Sequence, residues 1–210
     1  MSARHHPQDD LLLAYAAGTL DEGVSLIVAT HLSFCAACRG AVAQAEALGG
    51  ALLTEAVPLH DGALAATLAR LDQVQPQPRP TPSRDGTPSA LRHVLGHDLS
   101  AVRWRAMGPN LAYANLYRRG RTRVRLLKGA PGADTGAHGH QGEEYTLVLR
   151  GGFTDETGSY GPGDLQVATM DTRHNPIADP GEPCINLAVT TAPLTFDALI
   201  PRIAAKLFGF

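Results

Sequence analysis

Two hydrophobic periods divide the chain. Up to residue 71 the apolar positions recur at helical spacing. Leu11, Leu12, Tyr15 and Ala16 form one stripe, which predicts a helix over 11–17 with Asp9 or Asp10 as N-cap and Gly18 as its end. A second helix is predicted from Asp21 or Glu22 through Leu26, Ile27 and Ala29, and a third from Ala41 through Ala45 and Leu48 toward Leu53, where Gly49-Gly50 can kink or end it. A fourth, capped at Asp61, sets Leu64, Leu68 and Leu71 on one side. From residue 102 the period falls to two. Val102–Met107, Leu111–Tyr117 and Arg121–Leu127 alternate, with Gly-Pro and Arg-Gly turns between them. Similar runs follow at Tyr145–Leu149, Leu165–Ala168 and Ile185–Val189, a spacing that predicts an antiparallel sandwich or barrel.

Between the two periods lies Gln75–Pro88, with five prolines and no aliphatic residue. Such a segment cannot pack a core and favours extended conformations. The pattern therefore predicts an α+β multidomain chain: a small helical unit over 1–74, a Pro-rich linker over 75–88 and a β unit over 89–210. The 210 residues are 44% hydrophobic but only 5% aromatic, so the cores are aliphatic. With 18 Lys and Arg against 20 Asp and Glu, no basic excess points to direct nucleic-acid binding. The basic run from Arg118 to Lys128, which includes Arg125, reads as an exposed strand face. No apolar run is long enough to cross a bilayer and Met1–His6 carries no signal core, so a cytoplasmic protein without membrane contact is expected.

The helical unit carries the first concentration of chemistry. His31, Cys35 and Cys38 fall within eight residues. On one continuous helix His31 and Cys35 would share a face, with Cys38 beside them. Thiolate sulfur and imidazole nitrogen suit tetrahedral zinc. A fourth ligand could come from His5 or His6. A thioredoxin-like dithiol would need a strand before the first cysteine, and haem attachment would need His where Arg39 stands. Short alanine-rich helices have little core of their own, and an ion joining their ends would hold them together. Cys184, in a predicted strand, reads as a small buried apolar residue.

The β unit carries the second, Gly132-x5-His138-x-His140-x3-Glu144-x6-Gly151. In extended chain His138 and His140 point the same way, and Glu144, preferred to Glu143 on spacing, can return a carboxylate to the same point. Two imidazoles and a carboxylate suit zinc, iron, manganese, nickel or copper.

Gly132–Gly151 resembles the first cupin motif at each defined position, and Tyr160-Gly-Pro-Gly-Asp164 looks like the turn that opens the second. That resemblance implies a third histidine, for which His174 is the candidate although Leu165–Arg173 intervene. With the helical His-x3-Cys-x2-Cys unit, the linker, and the runs Asp10–Leu20 and Val28–His31, the whole chain resembles the ChrR family of zinc-binding anti-sigma factors. The resemblance implies that His6 completes the His31, Cys35, Cys38 site with Zn2+, and that His138, His140, Glu144 and His174 hold Zn2+ or another divalent transition metal. It further implies that the chain sequesters an extracytoplasmic-function (ECF) sigma factor and releases it under oxidative stress such as singlet oxygen, with the cupin as sensor. The Leu64, Leu68, Leu71 helix would then have a partner's groove to occupy. The competing expectation is a metal-dependent cupin dioxygenase or isomerase with a helical dimerisation arm. Glu143, Tyr145 and Asp171 are its only candidate acid or base groups.

Overall fold

In the computed structural model, residues 3–53, 60–71 and 83–196 are described. Five helices come first: α1 (Asp9–Ala16), α2 (Glu22–His31), α3 (Ala36–Ala51), α4 (Ala63–Leu71) and α5 (Ser89–Leu95). Twelve strands follow: β1 (Arg105–Ala106), β2 (Leu111–Arg119), β3 (Thr122–Gly129), β4 (His138–His140), β5 (Glu144–Arg150), β6 (Phe153–Asp155), β7 (Gly158–Tyr160), β8 (Leu165–Ala168), β9 (Arg173–His174), β10 (Ile177–Ala178), β11 (Cys184–Thr190) and β12 (Leu194–Phe196). All pairings are antiparallel. The main sheet runs β1-β2-β3-β11-β5-β8, and two three-stranded sheets, β10-β6-β7 and β12-β4-β9, complete the β unit.

Strand parity decides what each face of the main sheet does. Val124 and Leu126 on β3, Tyr145 and Leu147 on β5, and Leu187 and Val189 on β11 enter one core with Val24, Leu26, Ile27 and Val28 of α2. Their alternate neighbours Leu127, Glu144, Thr146 and Asn186 line a cavity on the other side. Thus α2 lies on the sheet, and α5 packs against α2 with Leu91 fully buried. The Arg119 guanidinium adds an ion pair to Glu22, 2.7 Å apart. The hydrophobic core is continuous between the helical and β units.

Gly23 marks the closest approach of α2. A Cβ there would lie 2.8 Å from Val124 Cγ2 and 3.1 Å from Val189 Cγ1. Gly23→Ala is expected to lower stability by about 1–3 kcal/mol, because overpacking outweighs the gain in helix propensity this early in α2. Urea unfolding of the full chain measures it.

Some local expectations shift. α1 begins two residues early on Gln8, leaving Asp9 and Asp10 in its first turn, where they complement the helix dipole. Asp21 caps α2 as expected, accepting from Gly23 N. Gly49 and Gly50 stay inside α3. Arg125 is buried, so the basic run is not one exposed face. Cys184 is buried on β11, as the pattern implied. The predicted linker is described only from Ser83 on. There Asp85 accepts from Thr87 N and Ser100 N, and Thr87 Oγ1 accepts from Leu99 N, which docks this end onto the short 3-10 turn Leu99–Ala101.

Two candidate metal centres

His31, Cys35 and Cys38 do not share one helix. His31 ends α2, a turn intervenes, Cys35 is the N-cap of α3 and Cys38 sits in its first turn. The helix–turn–helix still brings them together, because Cys35 Sγ accepts from Cys38 N at 3.4 Å and His31 Nε2 lies 3.3 Å from Cys38 Sγ. His6 supplies the fourth group, its Nδ1 being 3.4 Å from Cys35 Sγ and 3.5 Å from Cys38 Sγ. His5 turns away and packs on Tyr160, ring centroids 4.4 Å apart. The four ligand atoms lie within 4.8 Å of one another. Bond lengths of 2.0–2.1 Å to nitrogen and 2.3 Å to sulfur would separate tetrahedral N and S donors by about 3.5 Å, which matches these spacings.

The proton arrangement also suits a cation. His31 Nδ1 donates to the Gly163 carbonyl at 2.8 Å, so its Nε2 is left as an unprotonated donor toward the cysteines. Burial keeps this imidazole below its ordinary pKa despite that carbonyl. Burial, followed by the neighbouring Cys35, pushes the Cys38 thiol up to about 12, so deprotonation calls for a positive partner.

The supporting groups come from the β unit. The β7–β8 turn gives Gly163 O to His31, while Asp164 accepts from the backbone N–H groups of Arg4 and His5, and Leu165 N donates to His5 O. Gly163 itself, at φ +91°, leaves room for Phe34, whose Cβ would lie 2.7 Å from an added methyl.

The second cluster is built on strand pairing. His138 and His140 face the same way on β4, and β9 pairs with β4 so that His174 is directly opposite His138. The Leu165–Arg173 interval is therefore accounted for: β8 joins the main sheet first, and the chain then returns along β9. Glu144 opens β5. Its Oε2 lies 3.6, 3.9 and 3.8 Å from nitrogens of His138, His140 and His174. Glu143 is instead exposed and accepts from the Tyr145 hydroxyl.

His138 Nδ1 donates to Gly136 O at 2.9 Å, and His174 Nδ1 donates to Asp155 Oδ2 at 2.8 Å. Both Nε2 atoms are then bare lone pairs, yet they face each other at 3.1 Å, and His140 Nε2 is 3.2 Å from that of His174. Lone pairs facing at this distance repel unless a proton or a metal ion lies among them, and the separations are also those of donors around one ion. Burial would raise the Glu144 carboxyl, but His138 and the other two imidazoles hold it below the usual carboxylate range. Burial lowers His140 to about 4, favouring the neutral imidazole that can bind a metal. His138 is raised: burial opposes its charge, but the Glu144 carboxylate outweighs burial. Both clusters thus have donor sets suited to a divalent metal.

Asp155 was not anticipated from sequence. It orients His174 and is itself fixed by Thr157 and by Gln166 Nε2, 2.7 Å away. The only sequence sign was turn chemistry in Asp155-Glu-Thr-Gly158, where Asp155 also accepts from Thr157 N.

A helical unit bearing a Cys2His2 cluster is thus laid on a β unit bearing a His3Glu cluster. A family profile described as "ChrR Cupin-like domain" matches residues 93–194. The chain is 44% identical over 214 residues to the anti-sigma-E factor ChrR of Cereibacter sphaeroides, covering 99% of each. The crystal structure of Rhodobacter sphaeroides SigE in complex with the anti-sigma ChrR contains a chain that matches with a TM-score of 0.80 at 42% identity, over 90% of this chain and 100% of that one. KdgF from Halomonas sp. reaches a TM-score of 0.38 at 24% identity, over 43% of this chain and 88% of that one. The chain belongs to the ChrR family of anti-sigma factors. Among the described residues no helix is long and apolar enough to cross a membrane.

Proposed function

We propose that the chain sequesters an ECF-type sigma factor in the cytoplasm and releases it under oxidative stress such as singlet oxygen. Residues 1–74 are the binding unit, 75–88 the linker and 89–210 the sensing cupin. His6, His31, Cys35 and Cys38 hold Zn2+. His138, His140, Glu144 and His174 hold Zn2+ or another divalent transition metal. Neither nucleic acid nor a membrane is bound directly.

The observation that carries this reading is the apolar surface left uncovered. Leu64, Leu68 and Leu71 stand along one stripe of α4, 52–70% exposed, while Leu48, Leu52 and Leu53 are exposed at the end of α3. A stripe at i, i+4 and i+7 is what an amphipathic helix offers to a partner's groove. Its residues take no part in the core shared with the cupin. Co-expression with candidate ECF sigma factors, purification and metal analysis test the reading directly. A complex with two metals per chain that inhibits transcription is expected, and Leu64→Glu with Leu68→Glu should break it. Failure of every candidate to co-purify would overturn it.

Asp155→Ala should lower cupin metal affinity about 10–100-fold, the usual loss when the partner orienting a ligand histidine is removed. Competition against a chromophoric chelator reads this, with the N-terminal site as internal control.

A further inference from the structure

We infer that the cupin cavity is a binding site for a small aliphatic monocarboxylate, its head group at the metal cluster and its tail along the apolar wall. This rests on reading the His138 cluster as a metal centre, and it names the class of molecule that centre receives.

The cavity encloses about 370 Å³, at the small end of sites that take organic ligands. Its wall is mostly apolar, with Leu111, Leu127, Phe153, Leu194 and Phe196 among its lining residues. His138, Glu144 and His174 form part of the same wall, so an ion among them is reachable from the cavity. None of the N-terminal ligands lines it. A purely structural centre is closed by its protein ligands, whereas a centre bordering a roomy apolar cavity leaves a position for another donor.

Charge selects the head group. Three neutral imidazoles and one carboxylate around a divalent ion leave one net positive charge. Among the described residues no Lys or Arg lines the cavity, and the only charged lining residue outside the cluster is Asp134. Asp134 is exposed, with its carboxylate accepting from Gly136 N at 2.7 Å. One anionic group is balanced, a second is repelled, and a cationic head is rejected. Outside the cluster the neutral polar lining is Thr135, Thr146, Gln166 and Asn186. Thr135 Oγ1 already donates to Pro176 O, Asn186 Oδ1 accepts from Cys184, and Gln166 Nε2 is shared between Asp155 and Thr157, which leaves few groups for a sugar's hydroxyls. What remains is a monoanion with one apolar chain, of up to about ten carbons for this volume.

The test uses the full chain loaded with zinc, with decanoate as probe and calorimetry as readout. One decanoate should bind per chain. Decanol, decylamine and the dicarboxylate sebacate should each bind at least tenfold more weakly. Leu127→Trp, which fills the cavity, should weaken decanoate at least tenfold while both metals are retained, and Leu194→Trp provides a second filling variant should the first misfold. Cobalt-loaded protein should broaden the ¹³C-carboxyl line of labelled decanoate, and zinc-loaded protein should not. Equal binding of decanol and decanoate, or tight binding by either folded filling variant, overturns the inference. Absence of decanoate binding by protein that holds two metals and inhibits its sigma factor overturns the inference alone. If the His138 cluster takes no metal, the metal reading falls and this assignment falls with it.

Discussion

Cys38→Ala is expected to strip the metal from the N-terminal cluster and weaken partner binding at least 100-fold. A structural zinc ion contributes on the order of 10 kcal/mol to the folding of the unit it closes, and Cys38 contacts both His31 and His6 within that cluster. The loss should not be uniform. α2 is held by its apolar face on the cupin sheet, whereas Leu12 of α1 and Val42 of α3 are the only buried aliphatic side chains those two helices contribute. α1 and α3 should therefore melt while α2 stays docked. Helical signal, metal content and partner affinity measure the three parts of the prediction. The thiols must lose protons to bind the ion, so metal retention should also weaken as pH falls. A metal-free Cys35→Ala, Cys38→Ala variant with full helical signal and undiminished partner binding would sink the idea.

The double variant His138→Ala, His140→Ala should do the opposite. Partner affinity is expected to stay within about threefold of wild type, while stress-triggered release is lost or strongly blunted. The reason is geometric: the His3Glu cluster borders the cavity, on the side of the main sheet away from α2. Release is then a change in the balance between two arrangements, and the cupin metal must bind one of them differently for it to act as a sensor. Partner affinity and reporter induction should be measured on the same variant. Normal induction would remove the sensing role, and abolished binding would show that the cupin metal holds the complex together.

Much of this was legible in the sequence because period and spacing are local. The main-sheet strands β2, β3, β5, β8 and β11 followed from alternation. β4, β6, β7, β9, β10 and β12 are two or three residues long, too short for a period to show. The residues grouped by spacing, His31, Cys35 and Cys38 in one unit and His138, His140 and Glu144 in the other, do come together, but for partly different reasons. His31 and Cys35 meet across a turn rather than along one helix, because Cys35 leaves helical geometry, at φ −115° and ψ 109°, to cap α3. His6 and His174 were reached by resemblance, since their positions depend on contacts distant in sequence: Asp164 holds Arg4 and His5 just before His6, and β4 pairs with the strand that carries His174. Asp155 and the Gly163 carbonyl stayed hidden for the same reason. Nor does composition reveal that the apolar face of α2 packs on the main sheet.

Alternation along β5 has a genetic consequence. Tyr145 and Leu147 look toward the helices, while Glu144 and Thr146 look into the cavity. Lesions in this one strand should sort by odd and even residue number into two phenotypes. Odd positions would yield chains that fail to restrain their partner, and even positions chains that restrain it but ignore the signal. A single-residue insertion early in the strand would exchange the two sets and fail both ways, so homologous chains should not vary in length within it.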